Sequence, residues 1–238
     1  MSIFVKSANA VEEDKAGRQL LESAVYDAKI VCAYLQPSSN PASKSQRLIV
    51  QLDVNGTTIT DEETVLNVNG TNTWKNDPTK LLSGFLKMNA FCYVASGVEL
   101  ADIPFEEKDI KINSFQGEQL VKRQVAVSLI GKKIKVGLLK ATVNRKQNQG
   151  GDWVWTTATK DTNLIDKYFS EDGRTHSEMV KGTAAEFIHT WKSKYLGKHV
   201  QRLIKEKTVP WIEPTTNGTP ANAVPTAPTT SIFAQMKQ

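Results

Sequence analysis

Two tryptophans and two cations lie close together in the segment NRKQNQGGDWVWTTATK, residues 144–160. Trp153 and Trp155 are separated by one residue, so on a strand both rings point to the same face. Arg145 and Lys146 precede them, on the other side of a polar Gly-Gly turn. A flat ring can stack on another flat ring, and a cation can hold an anionic group. The segment therefore predicts a surface that meets something flat and negatively charged.

Burial in a core is the alternative explanation for this pair, because tryptophan is more often a core residue than a ligand platform. The sequence leaves both interpretations of Trp153 and Trp155 open. Trp74 has fewer ways to be buried, since it lies beside Lys75 in the turn-rich segment NVNGTNTWKND. Tyr34, before a polar loop, is a weaker candidate. Bases of single-stranded nucleic acid stack on exposed rings of this kind for about 1–3 kcal/mol each.

The distribution of charge points to an anionic partner more strongly than the net charge of +5 does. Residues 119–151 contain no Asp or Glu, whereas a solvated face usually mixes both signs. An acid-free stretch of this length favours a polyanionic partner. Neutralisation by acids from elsewhere in the fold is the alternative. The cations of the stretch are Lys122, Arg123, Lys132, Lys133, Lys135, Lys140, Arg145 and Lys146.

The first elements that would position these residues are three segments of period 2, typical of strands. The segment SAVYDAKIVCAYLQ places on one face Tyr26, Ala28, Ile30, Cys32 and Tyr34. In QRLIVQLDV the inward positions are Leu48, Val50, Leu52 and Val54. Asn55-Gly56 is a typical hairpin turn and leads into the third strand, TTITDEETVLNV. Together they predict an antiparallel meander.

A helix and two further strands follow. Asp77 and Pro78 are expected to begin a helix that Gly97 ends. KKIKVGLLKATVNR and DWVWTTAT are predicted strands, joined by KQNQGG. Three strands, a helix and two strands is the element order of an OB-fold. We therefore expect a mainly β (α+β) fold, a five-stranded OB barrel with its helix between strands 3 and 4, plus an insertion and a C-terminal helix.

The remaining segments surround this predicted barrel. Residues 98–131 form an insertion in which DIKINSF has the pattern of a strand. Capping boxes Thr175/Glu178 and Thr183/Glu186 precede a helix stripe of Phe187, Ile188, Trp191 and Tyr195. We expect an N-terminal arm over residues 1–23 and a binding domain over 24–205. A Pro/Thr-rich disordered tail over 206–238 ends in an apolar peptide with Ile232, Phe233 and Met236.

Catalytic and metal-binding patterns are weak. The chain has neither a G-x-x-x-x-G-K-[ST] motif nor a strand-linked G-x-G-x-x-G, and His176, His189 and His199 match no compact metal motif. Cys32 and Cys92 stand alone, which argues against zinc and against a disulfide framework. No apolar run is long enough for a membrane span. We therefore expect a cytoplasmic, non-enzymatic protein without a cofactor.

The carboxylates Asp61, Glu62 and Glu63 are the one cluster that could hold Mg²⁺ in a nuclease. Consecutive strand residues point to opposite faces, so we expect the three not to converge on one ion. The nuclease is kept as an alternative function of a different class.

Three segments of the chain resemble single-stranded DNA-binding proteins of lytic tailed phages: LLESAVYDAKIVCAYL, VLNVNGTNTWK and SLIGKKIKVGLLKATVNRK. The resemblance covers roughly residues 20–170 by arrangement and is most specific in LIGKKIKVGLLK. It implies an OB-fold replication protein in the cytoplasm of an infected bacterium, which coats DNA strands during replication, recombination and repair and lacks catalytic residues. By this analogy the binding positions are Trp74, Lys75, Lys132, Lys133, Lys135, Lys140, Arg145, Lys146, Trp153 and Trp155.

The tail departs from a pattern common among proteins of this function. Many end in an acidic tail that recruits partners, but here the residues after 208 include only Glu213 as an acid. We expect Ile232, Phe233 and Met236 to dock on a phage replication partner or a neighbouring subunit instead. A strand-annealing recombination protein and a virion structural protein are the remaining alternatives.

Overall fold

A computed structural model describes residues 20–114, 117–150, 152–204 and 208–212. The strands are β1 Ala24–Pro37, β2 Gln46–Val54, β3 Thr57–Leu66, β4 Thr73–Trp74, β5 Asp77–Leu81, β6 Glu106–Ser114, β7 Gly117–Val125, β8 Lys133–Gln149, β9 Asp152–Phe169 and β10 His199–Arg202. The α-helices are α1 Ser83–Ser96, α2 His176–Lys181 and α3 Phe187–Tyr195. No helix in the described part of the chain is long and apolar enough to cross a membrane.

The mainly β expectation is confirmed by one eight-stranded sheet with β1 at its centre. The N-terminal half of β1 pairs with β8 and its C-terminal half with β2, both antiparallel. β2 continues to β3, and β8 pairs on its other edge with β9. β10 lies parallel to β8 beyond the end of the β1 ladder. The described ladders do not close this sheet into a barrel.

The meander forms as its pattern predicts. The Asn55-Gly56 turn has positive φ at both residues, 51° and 77°, which suits a tight hairpin between twisted strands. The four inward positions of β2 are fully buried: Leu48, Val50, Leu52 and Val54. They pack in one core with α1 residues Met88, Phe91 and Cys92.

The single-face expectation for β1 is wrong beyond Ile30. A β-bulge between Ile30 and Cys32 adds one residue to the strand and reverses the alternation. Ala33 consequently joins the main core, while Cys32 and Tyr34 turn to the other side of the sheet.

The predicted start of α1 at Asp77 is also wrong. Residues Asp77–Leu81 form β5, and the helix begins at Ser83. Asp77 instead accepts hydrogen bonds from the Thr79 N–H and hydroxyl group, 3.2 and 2.6 Å away, so its carboxylate supports a turn. The predicted end is confirmed, because Gly97 adopts φ 74° and donates its N–H to the Tyr93 carbonyl.

The insertion contains a hairpin of β6 and β7, which confirms the expected strand in DIKINSF as far as Ser114. The hairpin joins the sheet where Val125 pairs with Tyr34. Ile110 and Ile112 cover a second core of Tyr34, Ile49 and Val125 on the outer side of the sheet. The insertion therefore buries a face that would otherwise be exposed.

The first predicted capping box is confirmed and the second is wrong. Thr175 and Glu178 exchange the reciprocal bonds that begin α2. Glu186 makes no side-chain cap. The Glu178 carboxylate instead accepts the N–H groups of Glu186 and Phe187, 2.9 and 2.7 Å away, at the start of α3. One carboxylate therefore serves the first turns of two helices.

The stripe of α3 packs on β8 at a glycine. Of the predicted apolar stripe, Ile188 and Trp191 are buried, whereas Phe187 is 41% exposed. The Trp191 Nε1 donates to Asp166 Oδ2 at 2.8 Å. A Cβ atom on Gly137 would lie 2.8 Å from Trp191 Cε2, so only glycine admits the indole at this point. The helix is thereby docked against the long β8–β9 pair.

Candidate nucleic-acid interface

The β8–β9 hairpin carries the segment of residues 144–160, which we call the stacking hairpin. The strands are longer than predicted, because four residues of the expected loop belong to β8 and the turn is confined to the region of Gly150. A bulge lies at the base of the stacking hairpin, where it joins the main sheet: Asn144 pairs with Thr159, but Lys146 pairs with Trp155. The strand β9 thus has extra residues at this bend.

Side chains fill the bulge and hold its shape. The buried Asn144 donates its Nδ2 hydrogen to the Thr156 carbonyl oxygen at 2.8 Å and accepts the Ile204 N–H at 2.7 Å. The Thr156 hydroxyl, also buried, donates to the Arg145 carbonyl oxygen at 2.9 Å. These bonds satisfy backbone groups that the interrupted ladder leaves unpaired. The bulge is therefore an ordered bend, and it sets the direction of the hairpin strands that follow it.

The front face of the stacking hairpin presents both tryptophans to solvent. Trp153 is 68% exposed and Trp155 is 36% exposed, which excludes the core-burial alternative. Lys146 is directly opposite Trp155, with its Nζ 4.5 Å from the ring centroid. That distance is a cation–π contact. The Trp153 ring is therefore open to a ligand, and the Trp155 ring lies beside the Lys146 ammonium group on the same face.

Arg145 lies on the back face, away from Lys146, because consecutive strand residues point to opposite sides. Its guanidinium lies over the ring of Trp211, with its Cζ 5.7 Å from the centroid. The predicted pair of cations is therefore divided, and the structure brings only Lys146 together with Trp153 and Trp155.

Acids from elsewhere in the fold neutralise several cations of the acid-free stretch. Three of them form ion pairs: Lys122 with Glu107 (3.3 Å), Lys135 with Asp27 (3.0 Å) and Lys140 with Glu22 (2.6 Å). The Arg123 side chain donates from Nη1 to the Lys122 carbonyl oxygen at 2.9 Å. The neutralisation alternative is therefore correct for these lysines.

Lys132 and Lys133 remain exposed at the start of β8 and make no ion pair within the described residues. Arg145 and Lys146 likewise have no carboxylate partner in that part of the chain. Within the acid-free stretch, the cations without a carboxylate partner among the described residues therefore lie near the two ends of β8.

The other two aromatic candidates have opposite outcomes. Trp74 is 53% exposed at the end of β4, beside the exposed Lys75, in a two-stranded sheet separate from the main one. Tyr34 is 3% exposed and packs under the β6–β7 hairpin against Ile49 and Val125. Tyr34 cannot stack on a base, and its inclusion among the binding residues is wrong for this reason.

The carboxylate cluster is divided as expected. Asp61 and Glu63 point toward α1, where both hold the Lys87 ammonium group, at 2.8 and 3.0 Å. Glu62 points the other way and pairs with Arg47. The described residues contain no group of three side chains able to hold a metal ion. Asp61 also accepts the Tyr168 hydroxyl at 2.6 Å, so the cluster binds structural partners.

The three histidines are dispersed over the structure. His176 packs on the Tyr93 ring and lies 3.3 Å from a Glu99 oxygen, while His189 is exposed on α3. His199 lies 3.4 Å from Asp161 on the outer strand β10.

Trp211 is the aromatic residue that the sequence reasoning missed. It lies in the segment expected to form a disordered tail, but residues 208–212 lie along the stacking hairpin. The sequence pattern that indicates an ordered segment here is an apolar run within a polar tail: Val209, Trp211 and Ile212, interrupted only by Pro210. Ile232, Phe233 and Met236 lie outside the described residues. No protein-family model matches the sequence, and no curated protein has significant sequence similarity to it.

Proposed function

We propose that this protein binds single-stranded DNA without sequence specificity and coats and protects the strands exposed during phage DNA replication, recombination and repair. The observation that carries the proposal is the front face of the stacking hairpin, where Trp153 and Trp155 are exposed beside Lys146. Contiguous exposed apolar surface marks interaction sites, and two tryptophans on one face with a cation match the chemistry of a base next to a phosphate.

The proposed mechanism combines stacking with backbone electrostatics. Bases stack on Trp153, on the open part of Trp155 and, at a separate position, on Trp74. Lys146, Lys75, Lys132 and Lys133 supply positive charge to the phosphates. Duplex DNA keeps its bases stacked on each other, so only the single strand offers flat faces to the rings. Every base has such a face, and the binding is therefore indifferent to sequence.

The same proposal includes an OB-fold. The order of β1, β2, β3, α1, β8 and β9 is that of an OB-fold, with the β6–β7 hairpin inserted before the fourth barrel strand. Between β3 and β9, where the described ladders are open, the Tyr168 hydroxyl donates to Asp61. In this fold the β8–β9 hairpin corresponds to the loop between the last two strands, one of the loops that bind oligonucleotides.

The tail is proposed to recruit a replication partner or a neighbouring subunit through Ile232, Phe233 and Met236. An apolar cluster at the end of a polar linker motivates this idea. Deletion of residues 229–238 is expected to leave the affinity for DNA unchanged and to weaken partner pull-down. Equal pull-down by the deletion variant would exclude this role.

Titration of tryptophan fluorescence with oligo-dT and with duplex DNA tests the main proposal. Trp153, Trp155 and Trp74 are exposed and should be quenched, while the buried Trp191 supplies a constant background. We expect quenching by the single strand, with log affinity falling by about 0.7 per phosphate contact for each log unit of salt. Equal binding of both forms, or no binding at low salt, would overturn the proposal.

A further inference from the structure

Residues 208–212, which we call the brace segment, attach to the stacking hairpin from outside the main sheet. The Val209 N–H donates to the Trp155 carbonyl oxygen, and the Thr157 N–H donates to the Val209 carbonyl oxygen, both at 2.9 Å. These bonds make a short parallel bridge with Val209 opposite Thr156. The bridge uses the free edge of β9 on both sides of Thr156, directly after the exposed Trp155.

After this bridge the brace segment crosses the back of the stacking hairpin. The Ile212 N–H donates to Gln147 Oε1 at 3.1 Å, and Gln147 Nε2 donates in return to the Ile212 carbonyl oxygen. Gln149 reaches the Pro210 carbonyl oxygen at 3.4 Å, and the Trp211 ring holds the Arg145 guanidinium. Arg145, Gln147 and Gln149 alternate with Lys146, so all these contacts lie behind the face that carries the tryptophans.

We infer that the brace segment holds the stacking hairpin in the shape that binds single-stranded DNA, and that Trp211 is a positioning residue acting through Trp153 and Trp155. The inference rests on the proposed function of the front face. It also gives Arg145 a role distinct from phosphate binding, since its guanidinium is the group that Trp211 holds.

The physical reason is the marginal stability of a hairpin beyond the sheet. Two strands without further support are marginally stable at best in water. Past the bulge at Asn144, the brace segment contacts the stacking hairpin along the free edge of β9 and across its back. An unsupported hairpin would have to be ordered by the DNA, which costs affinity, whereas the braced one is already ordered.

The first test uses full-length variants of Trp211 and a labelled oligo-dT, whose anisotropy does not depend on tryptophan emission. W211A should raise the Kd about two- to fivefold, the factor that corresponds to one lost cation–π contact of ~0.5–1 kcal/mol. W211F keeps an aromatic face for Arg145 and should restore most of the affinity. Equal Kd values for W211A and the wild type would overturn the inference.

A second pair of variants tests the backbone bridge. V209P removes the N–H that bonds to Trp155 and should raise the Kd by roughly two- to tenfold. T208P is its matched control, because no hydrogen bond of the Thr208 N–H occurs within the described residues. An equal effect of both substitutions would refute a specific role of the bridge.

Two readouts separate positioning from direct contact and from failure of the proposed function. In a W153A/W155A background, W211A should have no further effect on binding at low salt, whereas an undiminished loss would mean that Trp211 contacts DNA itself. V209P should also accelerate amide hydrogen exchange at residues 153–157, without DNA. An unchanged exchange rate at these residues would overturn the inference that the brace segment holds the stacking hairpin in shape. Faster exchange in a protein that binds no DNA would overturn only the proposed function.

Discussion

Removal of the Trp153 ring separates a binding role from a structural one most directly. The side chain is 68% exposed, so it has few contacts to lose, and W153A should change the free energy of unfolding by less than about 0.5 kcal/mol. A stacked base contributes about 1–3 kcal/mol, which corresponds to a rise in Kd of about 5- to 150-fold. W155A should lie at the lower end of that range, because Lys146 already occupies part of the space around its ring.

The assay is anisotropy of labelled oligo-dT at two salt concentrations, with urea denaturation of each variant. L196A is the matched control, since Leu196 is a large apolar residue at the end of α3 with a comparable exposed fraction, 60%. The Kd of W153A for oligo-dT should depend on salt as steeply as that of the wild type, because no cation is removed. A Kd of W153A within twofold of the wild type, in a folded protein, would refute the stacking argument.

Three further predictions concern the core. G137A should lower the free energy of unfolding in urea by ~1–3 kcal/mol, because the new Cβ collides with Trp191; unchanged stability would contradict this packing. Burial by itself would lower the pKa of Lys87, but Asp61 and Glu63 raise it above its usual value. The contribution of the charged Lys87 to the free energy of unfolding should therefore persist through neutral pH and be lost only above about pH 10.5. K87A should therefore lower the free energy of unfolding by ~1–3 kcal/mol at pH 7. A loss that disappeared between pH 7 and 9 would contradict the raised pKa of Lys87. Burial raises the pKa of Cys92 to about 12, so this thiol should react with Ellman's reagent at pH 8 only after unfolding in urea. Cys32 is partly exposed, so the test uses C32S, and rapid reaction of this native variant would show that Cys92 is accessible.

Features that depend on local period and local turn chemistry could be predicted from the amino-acid sequence alone. The alternation in β2 identified its buried residues, and Asn55-Gly56 identified the turn, because both signals lie within a few consecutive residues. The capping box of Thr175 was recognisable for the same reason. The shared face of Trp153 and Trp155 followed from strand period alone, although whether that face was buried did not.

Which surfaces are covered and which charges lack a partner depends on contacts between segments that are distant in the chain. Tyr34 is buried because a hairpin more than seventy residues later in the chain packs over it, and Lys140 is neutralised by Glu22, which precedes β1 and is far away in sequence. The bulge in β1 reverses the faces predicted for its second half. Trp211 reaches Arg145 only because β9 has a free edge at the bend. These features depend on contacts between distant segments, and local patterns carry no information about which distant segments meet.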